Sequence, residues 1–361
     1  MRELLEGSKA VAKTIAFCRP KVISAYPITP QTHIVEELAQ FVAEGKLKAE
    51  FVRAESEFGA ASIVLGASQR GVRTYTATSS QGLLLMTEVL FNIAGLRLPV
   101  VLTCANRALS APINIWNDWQ DALTLRDSGW VMFFGENLQE VVDFHILAYK
   151  IAEKLNLPVM VNMDGFLLTH TAEVVEIPEE KLIEKFLGPF KPSLFLDPKN
   201  PKTFGFLADP DYYQEFRLAL HQDLLEGLKK IVELTQKFNK FFGRNLKLIE
   251  GYNLKKAETV FVTMGSLEGT VKTLIDDLKS KKIGLIGIKL FRPFPTKIFA
   301  KLINPSIKRL IVLNKAVSLG VEGILTSEIK RAIFGKRIEI KDEILGLGGR
   351  DIKREDLIKL I

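Results

Sequence analysis

Residues 25–32 of this chain read Ala-Tyr-Pro-Ile-Thr-Pro-Gln-Thr and follow the run Val-Ile-Ser at 22–24. This order predicts a buried strand, a stiff turn and a helix, because two prolines restrict the backbone of the turn. Two later stretches also stand between a predicted strand and a predicted helix: Ala-Glu-Ser-Glu-Phe-Gly-Ala at 54–60 and Thr-Ala-Thr-Ser-Ser-Gln-Gly at 76–82. In an open parallel sheet, the loops at the carboxyl ends of the strands line one crevice. The three loops therefore predict an α/β fold with a ligand site at that edge.

The rest of the chain supports a doubly wound parallel sheet followed by a smaller α/β unit. In the first part, the hydrophobic pattern predicts strands at 22–26, 51–54, 74–78, 99–105, 130–134 and 158–162, and helices near 31–44, 58–68, 83–96 and 138–155. After residue 258 it predicts strands at 260–264, 284–290, 310–313 and 338–340, and helices near 267–280, 296–303, 320–334 and 354–360.

Three segments follow from this pattern. Residues 1–170 form the first α/β domain, and residues 256–361 form the second. Residues 171–255 are an irregular connector, rich in proline and ending in a long helix at 212–242. This connector either straps the two units together or runs over the surface, and the sequence leaves both interpretations open.

Composition excludes several classes of protein. The chain is 47% hydrophobic and 25% charged, as in ordinary globular proteins. No apolar run reaches the ~20 residues that cross a bilayer, and the first residues carry acids, so we expect a cytoplasmic protein that contacts no membrane. The formal net charge is +7, but the 49 lysines and arginines are scattered among 42 acids and form no basic run. This pattern argues against binding of nucleic acid and permits an acidic partner protein.

The two cysteines, Cys18 and Cys104, are too few for a disulfide framework or a four-thiolate cluster. We expect both to be buried. The four histidines lack metal-ligand spacing, so no metal site is predicted on this chain, and any iron–sulfur cluster has to lie on another chain.

Single residues in the three loops have two interpretations each. Thr29 either binds a ligand oxygen or caps the helix that begins near residue 31. Glu55 and Glu57 either favour a helix start through the helix dipole, or Glu57 reaches a ligand across the small residue Gly59.

Ser80, Gln81 and Arg107 also have two interpretations each. The hydroxyl of Ser80 and the free amides around Gln81 suit an anion, although the P-loop pattern is missing. Arg107 follows the fourth strand, where it either binds a carboxylate or pairs with Asp118 or Asp121.

Together these loops resemble the alpha chains of the thiamine-diphosphate-dependent pyruvate and other 2-oxoacid:ferredoxin oxidoreductases. The likeness covers nearly the whole sequence. Six runs of the first half carry it: Gly-Ser-Lys-Ala-Val-Ala (7–12), Tyr-Pro-Ile-Thr-Pro (26–30), Thr-Ala-Thr-Ser-Ser-Gln-Gly (76–82), Asn-Arg-Ala-Leu-Ser (106–110), Ile-Trp-Asn-Asp-Trp-Gln-Asp (115–121) and Asp-Gly-Phe (164–166). Two more runs lie in the second α/β unit: Phe-Arg-Pro-Phe-Pro (291–295) and Gly-Leu-Gly-Gly-Arg-Asp (346–351).

The resemblance implies a pyrimidine-type thiamine-diphosphate-binding domain and a transketolase C-terminal-like domain. It implies that Glu57 is catalytic and contacts the aminopyrimidine ring of the cofactor. It also implies catalytic and substrate-binding roles for Thr29 and Arg107. The further candidates it implies are Pro27, Ile28, Ser80 and Gln81 for the cofactor, and Asn117 and Asp118 for the substrate. One departure from the family's pattern is Phe58-Gly59 after Glu57, which leaves the packing of the pocket open.

The implied activity is oxidative decarboxylation of pyruvate with coenzyme A to acetyl-CoA and CO2, with electrons passed to ferredoxin, or the reverse as a pyruvate synthase of anaerobic metabolism. The chain lacks Gly-Asp-Gly followed by Asn, the magnesium-diphosphate signature of thiamine enzymes. Mg²⁺ and [4Fe-4S] clusters are therefore expected on beta-, gamma- and delta-type partner subunits of a hetero-oligomer. Three alternatives remain: a sister enzyme for branched-chain 2-oxoacids such as 2-oxoisovalerate or for other 2-oxoacids, a non-catalytic scaffold subunit, and a nicotinamide-dependent dehydrogenase.

Overall fold

The computed structural model describes residues 2–192 and 194–361. Met1, in the first predicted domain, and Ser193, in the predicted connector, lie outside the described residues. The described chain forms two main sheets flanked by helices, and a short two-stranded ribbon.

The larger sheet has seven strands, in the order β12-β6-β7-β5-β4-β2-β3. The strands from the first half of the chain run parallel, and β12 joins the edge antiparallel to β6. Their bounds are β2 (Val22–Ala25), β3 (Glu50–Arg53), β4 (Thr74–Thr78), β5 (Val101–Asn106), β6 (Val131–Phe134), β7 (Val159–Asp164) and β12 (Leu290–Arg292). The central strands β4 to β7 are buried throughout, as expected of a sheet covered on both faces. The predicted doubly wound parallel sheet is confirmed.

Helices connect these strands. They are α1 (Gly7–Cys18), α2 (Thr32–Ala43), α3 (Glu57–Gln69), α4 (Ser80–Leu85), α5 (Thr87–Gly95), α6 (Gln120–Thr124) and α7 (Leu138–Leu155). The prediction of one continuous helix over 83–96 is wrong, since α4 and α5 are separate. The Thr87 hydroxyl donates a 2.6 Å bond to the carbonyl of Leu84, and such a side-chain bond competes with the helical backbone at this point.

The smaller sheet has the order β14-β13-β10-β11-β9. Its strands are β9 (Ile249–Tyr252), β10 (Thr259–Met264), β11 (Ile283–Ile288), β13 (Arg309–Asn314) and β14 (Glu339–Ile344), and its helices are α10 (Leu267–Leu278), α11 (Thr296–Leu302), α12 (Ile324–Ala332) and α13 (Arg354–Ile358).

The predicted strand at 284–290 is in fact two strands in two sheets. β11 ends at Ile288 in the smaller sheet, and β12 begins at Leu290 in the larger one. The chain changes sheets at Lys289, whose fully buried ammonium lies 2.6–2.9 Å from carboxyl oxygens of Glu136, Glu140 and Glu268. The sequence pattern misses this break because both strands are apolar.

Residues 171–255 contain more regular structure than their prolines suggest. β8 (Ala172–Glu176) pairs with β1 (Arg2–Glu6), and α8 (Glu180–Leu187) follows. The long helix α9 (Pro210–Phe242) is capped by Asp209, whose side chain accepts the N–H of Asp211, and it ends at Gly243 with φ of 65°. α9 packs against α7 and α5 of the larger unit. β9, from the end of this segment, pairs with β11.

The two α/β units share a hydrophobic core. Trp130 and Phe134 of the larger unit belong to the same buried cluster as Val262, Phe291 and Phe299. Phe291 stacks edge-on against Phe134, with ring centres 6.1 Å apart. The pairing of the units is therefore part of the fold. In the described ranges, no helix combines the length and apolar character that crossing a membrane requires.

Candidate active site

Four loops meet at one edge of the larger sheet. They follow β3, β2, β4 and β5, which lie side by side and run parallel. The loops carry Glu57, Thr29, Ser80 and Arg107, respectively. Parallel neighbours deliver their carboxyl ends to the same edge, so the topology brings the predicted site residues to one edge of the sheet.

Glu57 is the buried acid of this site. It is the first residue of α3 and is 7% exposed, whereas Glu55 is exposed. The cap of α3 is Ser56, whose side chain accepts the N–H of Gly59 at 3.1 Å. Because Ser56 caps the helix, the Glu57 carboxylate is free for another contact.

The Glu57 carboxylate lies against the backbone of Gly82. A methyl group at position 82 would stand 2.5 Å from Glu57 Oε1 and 2.6 Å from Thr78 Oγ1. Any side chain larger than hydrogen would therefore push the carboxylate away. Gly82 provides the space in which Glu57 lies beside the end of β4.

Several buried polar atoms of β4 and the turn after it have no hydrogen-bond partner among the described residues, and one of them, the Thr78 hydroxyl, borders the same Gly82 position as the Glu57 carboxylate. Within the described ranges, the buried hydroxyls of Thr76, Thr78 and Ser79 and the side-chain nitrogen of Gln81 have no hydrogen-bond partner. Buried polar groups are normally paired, so such a set at a strand end indicates a missing ligand. Hydroxyl and amide groups can donate hydrogen bonds to ring nitrogens, and a carboxylate can accept one from an amino group. The residues therefore fit an aminopyrimidine.

The loop after β2 holds Thr29 and is tied down by Gln31. The fully buried Gln31 side chain donates to the carbonyls of Tyr26, at 3.2 Å, and Ala77, at 2.6 Å, and so joins this loop to the end of β4. The helix α2 begins at Thr32 without a side-chain cap, so Thr29 does not cap it. Pro27 and Thr29 are exposed and Ile28 is half-buried, which leaves this loop open to a ligand.

Arg107 is buried beside Thr29. Its guanidinium donates to the carbonyl of Thr29 and to that of Asn114, both at 2.9 Å. It forms no ion pair with Asp118 or Asp121 in the described structure, and burial lowers the pKa of Arg107. A buried cation that donates to neutral carbonyls retains its charge for an anionic ligand.

Asp121 is a fully buried carboxylate that the sequence offered only as a possible ion-pair partner of Arg107. It accepts hydrogen bonds from the main-chain nitrogens of Ser80, at 3.0 Å, and Arg107, at 2.9 Å. Ser80 has a positive φ of 51°, and its hydroxyl lies between the side-chain oxygen of Gln81 and the carbonyl of Ala108, within hydrogen-bond distance of both. Asp121 thus lies between two segments. Residues 79–82, which comprise the turn after β4 and the first residues of α4, we call the cofactor loop after their predicted role, and residues 107–118 we call the arginine loop.

Asn117 and Asp118 face the smaller unit. The side chain of Asn117 accepts a bond from Lys315 and donates to the carbonyl of Asn106 at 3.3 Å. Asp118 accepts the main-chain N–H of Gly348 at 3.0 Å, and burial raises its pKa. Both side chains therefore join the arginine loop to the smaller unit, and their predicted contact with substrate stays a prediction.

The Gly-rich turn at 346–349 supports the arginine loop. Gly348 and Gly349 have positive φ angles of 58° and 77°, which favour glycine. A methyl group on Gly349 would lie 2.4 Å from Trp116 Cβ, and the N–H of Gly349 donates to the carbonyl of Asn117 at 2.7 Å. The turn therefore serves packing between the units.

Comparison with known proteins agrees with this geometry. Residues 13–236 match the family described as pyruvate flavodoxin/ferredoxin oxidoreductase, thiamine diphosphate-binding. Residues 257–357 match pyruvate:ferredoxin oxidoreductase core domain II. The chain belongs to the pyruvate:ferredoxin oxidoreductase family.

Relatives within this family match almost end to end. Pyruvate synthase subunit PorA of Methanosarcina barkeri is 48% identical over 99% of this chain and 91% of its own length. The protein of the same name from Pyrococcus abyssi is 45% identical over 98% of this chain and 91% of its own length. Ketoisovalerate oxidoreductase subunit VorA of Pyrococcus horikoshii is 42% identical over 99% of this chain and 92% of its own length.

A solved structure shares the fold. The 2-oxoglutarate:ferredoxin oxidoreductase from Magnetococcus marinus superposes with a TM-score of 0.75 at 21% identity, covering 99% of this chain. This chain spans 64% of the length of that solved chain. The fold class, the family and the enzyme class predicted from the sequence are thereby confirmed, and the relatives' names mark the chain as one subunit of a multi-subunit enzyme.

Proposed function

We propose that this chain is the alpha subunit of a pyruvate:ferredoxin oxidoreductase. The observation that carries the proposal is the buried Glu57 carboxylate beside Gly82, set at the same sheet edge as the Arg107–Thr29 pair. A proton-sharing acid and a carboxylate-binding cation are the two groups that 2-oxoacid decarboxylation requires from the protein.

Glu57 acts on the cofactor in this proposal. Thiamine diphosphate, when bound, supplies the carbon nucleophile for the keto carbon of the substrate and accepts the electrons left by loss of CO2. Glu57 shares a proton with a nitrogen of the aminopyrimidine ring. The unpartnered Thr78, Ser79 and Gln81, together with Ser80, Pro27 and Ile28, hold that ring in place.

Arg107 and Thr29 act on the substrate. The Arg107 guanidinium attracts the carboxylate of pyruvate, and its bond to the carbonyl of Thr29 orients the two residues toward one point. The Thr29 hydroxyl donates to the substrate keto oxygen, where negative charge develops in the transition state. Asn117 and Asp118 support this loop from the smaller unit.

The remaining parts of the reaction are assigned to other subunits. Beta-, gamma- and delta-type chains hold Mg²⁺, the cofactor diphosphate and the [4Fe-4S] clusters, and coenzyme A and ferredoxin bind the assembled complex in the cytoplasm. Tyr26, Phe58 and Trp116, next to the site, are 40%, 41% and 53% exposed. Exposed aromatic side chains around an incomplete site suit a surface that a partner subunit covers.

The second candidate substrate is a branched-chain 2-oxoacid. A relative named ketoisovalerate oxidoreductase subunit is 42% identical to this chain, close to the identity of the pyruvate synthase subunits. Phe58, next to Glu57, is 41% exposed, and the substrate panel below decides between the two 2-oxoacids.

Substitution of Glu57 in the assembled complex tests the catalytic assignment. We expect Glu57→Gln to lower pyruvate decarboxylation at least 100-fold, because a neutral amide cannot share the proton. The matched control is Glu55→Gln, which removes an exposed carboxylate two residues away and should leave turnover within about twofold. Unchanged turnover of Glu57→Gln at normal cofactor affinity would contradict the assignment and support the scaffold alternative.

A substrate panel tests the reaction. The complex purified with its partner subunits is assayed with pyruvate, 2-oxoisovalerate and 2-oxoglutarate, with oxidised ferredoxin or NAD⁺ as the electron acceptor. We expect the highest kcat/KM for pyruvate and reduction of ferredoxin only. A higher kcat/KM for 2-oxoisovalerate would establish the second candidate instead.

A further inference from the structure

Asp121 gathers hydrogen-bond donors from three segments of the larger unit. Its side chain is fully buried at the start of α6. Oδ2 accepts the main-chain N–H groups of Ser80 and Arg107, at 3.0 and 2.9 Å. Oδ1 accepts the N–H of Ala122 at 2.7 Å and the side-chain amide of Asn106 at 3.0 Å. A carboxylate with two N–H donors on each oxygen is held in a single orientation.

These donors belong to the two loops that carry the proposed site. Ser80 is in the cofactor loop and Arg107 begins the arginine loop, and one oxygen atom of Asp121 binds both. Ser80 also has a left-handed backbone that residues with a Cβ rarely adopt, so it needs external contacts to keep its conformation. Asp121 supplies one of these contacts and the carbonyl of Ala108 supplies another.

We infer that Asp121 is a positioning residue that sets the distance between the cofactor loop and Arg107. It has no contact with substrate in this role and acts through the backbone of the two loops. The inference rests on the proposed function, since it assigns the two loops to cofactor and substrate.

An asparagine cannot replace this carboxylate. Each oxygen of Asp121 faces two N–H donors, and the amide of asparagine has only one oxygen. Whichever way the amide turns, its NH2 group points at two donors and both bonds are lost. Asp121→Asn therefore releases either the pair Ser80 and Arg107 or the pair Ala122 and Asn106.

Protonation of Asp121 should have a related effect. Burial raises the pKa of Asp121 to about 6, although its four N–H donors oppose the shift. The titratable or charged groups beside it are Cys104 on β5, whose thiol lies 3.4 Å from Oδ2, and Arg107. Below about pH 6 one oxygen carries a proton and turns a donor toward an N–H, so the two loops lose a contact as the pH falls.

The first experiment compares Asp121→Asn with Asp143→Asn in the assembled complex. Asp143 is a buried aspartate on α7, paired with Arg244 at 3.2 Å, and serves as the matched control for loss of a buried carboxylate. The probes are oxamate, an unreactive isostere of pyruvate, measured by calorimetry, and thiamine diphosphate, measured by equilibrium dialysis. We expect Asp121→Asn to raise the Kd of oxamate at least tenfold and the KM of pyruvate in parallel, while Asp143→Asn only lowers the melting temperature.

The second experiment uses Cys104→Ser and remains available if Asp121→Asn does not assemble. A serine hydroxyl donates a stronger bond to Oδ2 than a thiol does, so it lowers the pKa of Asp121. We expect the affinity of the wild-type complex for oxamate to fall as the pH drops below about 6. In Cys104→Ser this fall, the acid limb of the pH profile, should begin at a lower pH.

The outcomes separate this inference from the proposed function. Wild-type affinity for oxamate in Asp121→Asn, or an acid limb that does not move in Cys104→Ser, would overturn the inference alone. A wild-type complex that turns over no 2-oxoacid would overturn the proposed function and, with it, this inference.

Discussion

The guanidinium of Arg107 donates a 2.9 Å hydrogen bond to the main-chain carbonyl of Thr29. The two residues follow β5 and β2, which are separated in the sheet by β4. The bond closes the space over the end of β4 and places a buried cation beside an exposed hydroxyl. It is the contact that brings the two residues of the proposed substrate site together.

Replacing the Arg107 guanidinium with a lysine ammonium should weaken substrate binding. We expect Arg107→Lys to raise the KM of pyruvate about tenfold or more, because a lysine cannot donate to both carbonyls and a bond to a charged group contributes about 1.5–3 kcal/mol. Steady-state kinetics of the assembled complex measure the change. Arg97→Lys, at a partly exposed pair with Asp223, is the control and should keep the wild-type KM.

Filling the space at Gly82 should displace Glu57. A Cβ there would come within 2.5 Å of the Glu57 carboxylate, so we expect Gly82→Ala to lower kcat at least tenfold and to weaken thiamine diphosphate binding. Equilibrium dialysis gives the cofactor affinity. The matched control is Gly66→Ala in α3, where no atom lies within 4 Å of the new methyl group. Wild-type kcat and cofactor affinity in Gly82→Ala would refute the proposed position of Glu57.

The buried Lys289 should be essential for stability. Its ammonium lies 2.6 Å from Glu136 and 2.9 Å from both Glu140 and Glu268. Lys289→Met leaves these carboxylates without their central cation, so we expect a loss of about 3–5 kcal/mol in the free energy of unfolding. Denaturant unfolding measures this loss. Lys308→Met removes an exposed pair with Glu258 and should cost at most about 1 kcal/mol.

Glu268 should make stability fall as the pH rises. Four carboxylates, Glu136, Glu140, Glu250 and Glu268, share two lysines, Lys272 and Lys289. Burial raises the pKa of Glu268 to about 8, and the neighbouring carboxylates add to the shift against the opposing effect of Lys289.

Between its ordinary value of 4.5 and about 8, the folded protein keeps a proton at Glu268 that the unfolded chain has released. The contribution of Glu268 to stability is therefore complete below pH 4.5 and disappears as the pH approaches 8. We expect Glu268→Gln to flatten the stability profile in this window by up to about 1.4 kcal/mol per pH unit.

Glu250 serves as the comparison, because its pKa is shifted in the opposite direction from that of Glu268. Its bonds to Lys272 and Lys247 outweigh the effect of burial and lower its pKa to about 2, so its contribution is lost as the pH falls below 4.5. Glu250→Gln should change only the acid limb of the profile. A Glu268→Gln variant with the wild-type slope between pH 5 and 8 would show that Glu268 is ionised in the folded protein.

Much of the site was predictable because strand ends are local features. Thr29, Glu57 and Arg107 each follow an apolar run, and parallel strands deliver such residues to one edge. Gln31 was missed, and Asp121 was considered only as an ion-pair partner of Arg107, because the partners of both are main-chain groups of other loops and no spacing in the sequence encodes those contacts. Asn117 and Asp118 lie near the expected place, yet they bind the smaller unit through Lys315 and Gly348.

The sequence by itself determined the fold class, the family and the residues that carry the proposed chemistry, because hydrophobic period and strand-end polarity are properties of short segments. The tertiary structure alone decided which acid is buried, which loops Asp121 joins, and where the chain passes from one sheet to the other at Lys289. Those features depend on contacts between residues distant in sequence, and burial acts on each charge only after the two units have packed together.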